Sequence, residues 1–128
     1  MNFGKELTMI VIKVWCLPLN QDEDVLNLLH QAIVKTVVSV SELGVKDEND
    51  MVCLFPVDLM KYGLGKEIII EIDGLPDMPR KNASVPVQLA ESVGKSVSVL
   101  YPESKIKCSV EEFNPSKAVW ISTKQKDR

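Results

Sequence analysis

The chain reads as one unit written twice: an apolar strand, an amphipathic helix and a second apolar strand, over Met9 to Val57 and again over Glu67 to Glu111. Such a unit crosses over right-handedly, leaving a parallel strand pair with its helix on one face of the sheet. Two copies therefore predict an α/β (α+β) fold, a single four-stranded sheet carrying both helices on the same face. The pattern fixes architecture more tightly than chemistry, because no metal cluster, phosphate loop or nucleophile triad is legible in the sequence.

In the first copy, Ile10, Ile12, Val14 and Cys16 alternate with Val11, Lys13, Trp15 and Leu17. A strand apolar on both faces apart from one lysine belongs at the centre of a sheet. Pro18 ends it, and Asn20 followed by Glu23 predicts an N-cap with a reaching glutamate. Val25, Leu26, Leu29, Ala32, Ile33, Val37 and Val40 recur at helical spacing up to Gly44, a residue favoured just past helix ends. Val34 and Val38 lie off that stripe, which predicts cover for part of the second helix face, a neighbouring subunit being one source. Met51 to Val57 makes the second strand, with Pro56 where no ladder donor is needed.

In the second copy, Tyr62-Gly-Leu-Gly65 forms a loop or hairpin before Glu67 to Asp73, the strongest strand signal in the chain. Pro76 and Pro79 break the chain before Ser84 and Pro86 open a helix packing Leu89, Ala90, Val93 and Val97. Gly94 within that helix costs about 1 kcal/mol against alanine, which points to close helix-to-sheet approach. Lys105 to Glu111 alternates an apolar face, Ile106, Cys108 and Val110, with a polar one, Lys107, Ser109 and Glu111.

One soluble domain is expected from 128 residues with 45% apolar and 26% charged content. A net charge of −3 and scattered lysines give no basic footprint for nucleic acid. The longest apolar stretch, Met9 to Leu17, is half of the roughly 18 residues that a membrane span needs, and the N-terminus lacks the apolar region of a secretion signal. A cytoplasmic location is the expectation. Cys16, Cys53 and Cys108 each fall in a predicted strand without CxxC spacing and read as packing residues. The single histidine, His30, sits at the edge of a helical stripe, and neither a metal site nor a cofactor is expected.

With both helices on one face, the opposite face carries Val11, Trp15, Val52, Leu54 and Ile69, too many apolar groups for a wet surface. Lys13, Glu71 and Lys107 share it, so whatever covers this layer also encloses charges that need partners.

These residues carry a resemblance. The doubled unit with its uncovered sheet face, the segment Leu54-Phe-Pro-Val-Asp-Leu-Met-Lys-Tyr-Gly63, the strand Pro102-Glu-Ser-Lys-Ile-Lys-Cys-Ser-Val110 and the tail Phe113 to Ser122 resemble the tautomerase superfamily. Its macrophage-migration-inhibitory-factor and 4-oxalocrotonate-tautomerase branches are the nearest in look, over nearly the whole chain after Thr8. The resemblance implies a homotrimer whose three sheets enclose a central barrel, with a short C-terminal strand pairing to a neighbour. It implies domain limits of an extension over 1–8, a single domain over 9–123 and a charged tail over 124–128.

It also implies chemistry. These enzymes use an N-terminal proline as general base in moving a proton between carbon and oxygen of keto–enol acids, a role suited to an amine unprotonated near neutrality. Here Ile10 stands where that proline should be. Its nitrogen is an amide in a chain starting at Met1, and a start at Met9 would leave only a primary amine. The resemblance places Lys46 near the family's cationic substrate-holding residue, Asp73 near a backbone group lining the pocket, and Lys107 and Ser109 at polar strand positions. The arginines that clamp carboxylates in other branches have no counterpart, and lysine gives only a point charge.

Two readings stay open for each residue. Lys46 is a solvated turn lysine or a substrate-holding one. Lys13, Glu71 and Lys107 form an ion-pair network inside an oligomer, or Lys13, desolvated there, takes the place of the absent amine. Three functions follow: a keto–enol isomerase of small 2-oxo or enol acids with an altered base, a catalytically silent trimer binding a small carboxylic acid or a protein, or a ferredoxin-like regulatory module.

Overall fold

The computed structural model describes residues 9–75, 84–112, 116–117, 119 and 121. In chain order these form β1 (Ile10–Trp15), α1 (Glu23–Ser39), two 3-10 turns (Ser41–Leu43 and Glu48–Asp50), β2 (Met51–Leu54), β3 (Glu67–Leu75), α2 (Val85–Leu100) and β4 (Lys105–Glu112). The strand order is β2-β1-β3-β4. Each copy of the repeat forms the expected parallel pair, β1 with β2 and β3 with β4, and the copies join antiparallel through β1 and β3. The ferredoxin-like alternative, in which the second unit connects differently, is not the topology the chain adopts. The proposed C-terminal strand and the domain limits at 8 and 123 lie outside the described residues.

Alternation along the strands decides which side is buried. Ile10, Ile12 and Val14 of β1 and Ile68, Ile70 and Ile72 of β3 turn to the helices and join Leu29, Ile33 and Val37 of α1 and Val85, Leu89, Val93 and Val97 of α2 in one core. Each helix contributes every fourth residue to this layer, the spacing that keeps side chains on one helical face. The helices also pack side by side, and Val34, off the main stripe, lies against this same core. Burying a side chain of this size is worth about 1.5–3 kcal/mol.

Local details depart from the sequence reading at five points. The cap of α1 is Asp22, whose Oδ1 accepts from Val25 N at 2.9 Å, while the expected cap Asn20 lies before it at φ 65. α1 ends at Ser39, and Gly44, at φ 70, terminates the 3-10 turn that follows. Cys16 falls just past β1, also at positive φ, and β2 stops at Leu54, before Pro56. An added Cβ on Gly94 would stand 3.8 Å from Cys108 Cβ, ordinary contact, so the close approach inferred from that glycine is absent.

Gly74 is a glycine by need. It lies in the register shift near the end of the β3–β4 ladder, at φ 86, where an added Cβ would collide with the Met9 carbonyl. The bulge thus brings the start of β1 and the end of β3 into direct backbone contact.

Candidate functional site

The open face of the sheet follows from the same alternation. Val11, Lys13 and Trp15 on β1, Val52 and Leu54 on β2, Ile69, Glu71 and Asp73 on β3, and Lys107 and Ser109 on β4 all stand opposite the helices. The register sets them in rows. Val52, Val11 and Asp73 share one, Leu54, Lys13, Glu71 and Ser109 the next, and Trp15, Ile69 and Lys107 the third.

The middle row is the most polar. Lys13 is half-buried, directly across the ladder from Glu71, and the Glu71 carboxylate accepts the Trp15 indole N–H at 2.7 Å. That bond turns the amphipathic ring across the sheet and keeps the carboxylate on its surface. Lys13 makes no ion pair among the described residues, so the expected charge network is absent within one chain. Trp15 and Leu54 remain 36% and 43% exposed on the same face.

The predicted site residues divide between the two ends of this face. Ile10 opens β1, its side chain is 4% exposed in the core, and it pairs with Met51 in the ladder. Asp73 lies at that end, opposite Val11 and next to the bulge glycine. Lys46 is exposed in the turn leading to β2, its backbone N–H donating to Asp50 Oδ2 at 2.9 Å. Lys13 and Ser109 occupy the middle row. Lys107 sits in the row of Trp15, five residues on from Ile10 and so roughly 16 Å along the strand. Ile10 and Lys107 of one chain are therefore too far apart to hold one small acid together.

At the Trp15 end, a feature the sequence did not signal as functional stands out. Asp58 accepts three backbone N–H bonds, from Tyr62 at 2.9 Å, Gly63 at 2.9 Å and Leu64 at 3.0 Å. Those donors, Leu64 foremost, hold its carboxyl below the usual carboxylate range. Gly63 packs against Cys16 and Gly65 against Pro18, and Gly65 N donates to Cys16 O at 2.7 Å. This tightly tied loop presents Leu59, Met60 and Tyr62 at 83%, 88% and 76% exposure. An aspartate ahead of Gly-x-Gly was the available signal, since short acidic side chains pair with turn N–H groups.

The cysteines are packing groups. Burial raises the Cys53 and Cys108 thiols to about 11. Cys16 is pushed up by burial and then by the Asp58 carboxylate. Among the described residues no three potential metal ligands cluster, and no helix is long and apolar enough to cross a membrane.

No protein-family model matches the chain, and no curated protein matches its sequence. Solved structures do match in shape. A fused 4-OT solved as a symmetric trimer superposes with a TM-score of 0.62 at 12% identity, over 92% of this chain and 99% of that one. RhCC from Rhodococcus jostii gives 0.62 at 17% identity, over 88% and 82% of the two chains. A 5-carboxymethyl-2-hydroxymuconate isomerase from Deinococcus radiodurans gives 0.58 at 8%, over 91% and 90%. Near-complete coverage of both chains at TM-scores near 0.6 shows a shared architecture, and at such low identity it is the architecture alone that is shared. This chain has the fold of the tautomerase superfamily.

Proposed function

We propose that the chain works as a homotrimer whose three open sheet faces close on one another, and that it interconverts keto and enol forms of small 2-oxo acids with Lys13 as the proton carrier. The observation that carries this reading is the half-buried Lys13 side chain, set among Val11, Trp15 and Leu54 on a face that one chain leaves uncovered. The trimeric 4-OT of the same fold supports the assembly. A layer with exposed Trp15 and Leu54 gains from burial against sister chains at roughly 25 cal/mol per Å².

In the keto direction, the amine takes the enol O–H proton and returns a proton to C3, the carbon next to the oxo carbon, as the C2–C3 double bond becomes the C2 carbonyl, so the chemistry needs no outside redox partner or co-reactant. Glu71 stands opposite Lys13 in the ladder, and with the face closed by sister chains its carboxylate is the one placed to pair the ammonium form. Lys107 and Lys46 supply positive charge for the substrate carboxylate, and in a trimer Lys107 of one chain can meet the Ile10 end of another. Ser109, level with Lys13, and Asp73 complete the polar lining.

A second reading, a catalytically silent trimer binding a small acid or a protein, is favoured by Ile10. Its nitrogen belongs to the Met9–Ile10 peptide and its side chain is packed in the core, so the position of the family's base offers no basic lone pair. Enol-to-keto conversion of phenylpyruvate, followed by absorbance, separates the two. The isomerase reading predicts a rate above buffer that falls at least a hundredfold in Lys13→Ala with KM little changed. A wild-type rate equal to buffer leaves the silent reading.

A further inference from the structure

A cavity of about 180 Å³ opens at the carboxyl ends of β1 and β2, beside the first turn of α1 and away from the Ile10 end of the sheet. Leu17, Pro18, Leu26 and Phe55 wall it, and the exposed Leu19 and Val57 stand at its mouth. Cys16 and Asn20, at φ 70 and 65, bracket the three residues that form one wall. Non-glycine residues keep that conformation only where the surroundings over-determine it. At Cys16 the Asp58 loop does so, through the Gly65 N–H bond to Cys16 O and the packing of Gly65 on Pro18, while asparagine, as at position 20, adopts the left-handed conformation readily. The wall is therefore preformed.

Its polar groups are few and directional. Gln21 lines the cavity half-buried, and its Oε1 accepts the Tyr101 hydroxyl at 2.5 Å, which leaves the amide N–H groups as what it offers a ligand. The Asp58 carboxylate is committed to the three loop N–H groups, and Asp22 caps α1. With Glu23 and Asp24 in the same first turn, the surroundings are acidic and repel an anion.

We propose that this cavity binds a small neutral molecule with an aromatic or branched apolar body and a single carbonyl-type acceptor, bonded to the Gln21 amide. The volume suits a ligand of this size, since a cavity of about 150 Å³ accepts a benzene ring and drug-sized pockets begin near about 300 Å³. An apolar wall excludes free ions by their desolvation cost. The ligand class is thus distinct from the small acids assigned to the open sheet face, and the site stands or falls separately from Lys13.

Titration of the isotope-labelled full chain with acetophenone and with ethylbenzene, followed by amide NMR shifts, tests it. Both ligands should move the amides of residues 17–26 and 55–58 saturably, with acetophenone binding about fivefold tighter for its one added hydrogen bond. Gln21→Glu, which removes the donor, should abolish that preference and leave ethylbenzene affinity within about twofold. Leu19→Trp and Val57→Trp, at exposed mouth positions, should each weaken both ligands about tenfold or more by filling the opening. Shifts that never saturate, a preference that survives Gln21→Glu, or full affinity in both tryptophan variants would overturn the proposal.

Discussion

The two faces of the one sheet are built from neighbouring residues of the same strands and have opposite fates. Ile12 and Ile70 are fully buried under the helices, whereas Lys13 and Glu71, one step along each strand, stand on the open side with Trp15 and Leu54 partly exposed. Both faces of β1 are apolar, so hydrophobicity alone does not say which is covered. The helices settle one face. The other keeps an apolar surface that a lone chain leaves unspent, and this is the physical argument for sister subunits.

Truncation should expose the contrast most strongly. Ile70→Ala is expected to cost about 2–5 kcal/mol in urea unfolding, as buried isoleucines do, while Val11→Ala should cost under about 1 kcal/mol in dilute protein and instead weaken assembly. Equal losses at high dilution would erase the distinction between the faces. Next in size, Gly74→Ala forces a left-handed Cβ into the Met9 carbonyl and should lose about 1–3 kcal/mol, read as a lowered urea midpoint.

The Asp58 loop sharpens the comparison through pH. The folded carboxyl titrates below its unfolded value, so its stabilising contribution is present above the unfolded carboxylate pKa and is lost as pH falls through the folded one. Acid titration of Asp58→Asn should show a shallower loss of stability over that window than the wild type. The thiols behave in the reverse sense. Cys53 and Cys108, held near 11 on the helix-covered face of the edge strands, should alkylate slowly at pH 8 until the protein unfolds, and their stabilising effect should fade as pH rises from the unfolded thiol value through about 11. The smallest effect is a gain: Gly94→Ala has room beside Cys108 and should stabilise by up to about 1 kcal/mol, seen as a raised Tm.

Much of the architecture was legible because β1 and β3 are near-continuous apolar runs bounded by turn residues, β4 alternates with a period of two, and α1 and α2 repeat every three to four residues, signals that survive tertiary context. The helix start was misread by two residues since Asn20 and Asp22 are both good caps, and only the loop's left-handed turn at Asn20 chooses between them. Gly94 misled because a tolerated glycine and a required one look alike in sequence. At Gly74 the requirement comes from a backbone distant in the chain, at Met9 ahead of β1, which no local pattern reveals. The site was legible only in part. Parity places Lys13, Asp73, Lys107 and Ser109 on one face, but their rows depend on ladder register, and register alone separates Lys107 from the Ile10 end. The Asp58 clamp escaped because its three donors are fixed by loop geometry rather than by periodicity.

The mass of the native chain in solution, measured by sedimentation across a wide concentration range with wild type beside Trp15→Asp, tests the central claim most directly. The account predicts a wild-type particle of three chain masses, and a shift to single chains when the aspartate charges the open face. A wild-type protein that stays a folded single chain at every concentration would contradict it.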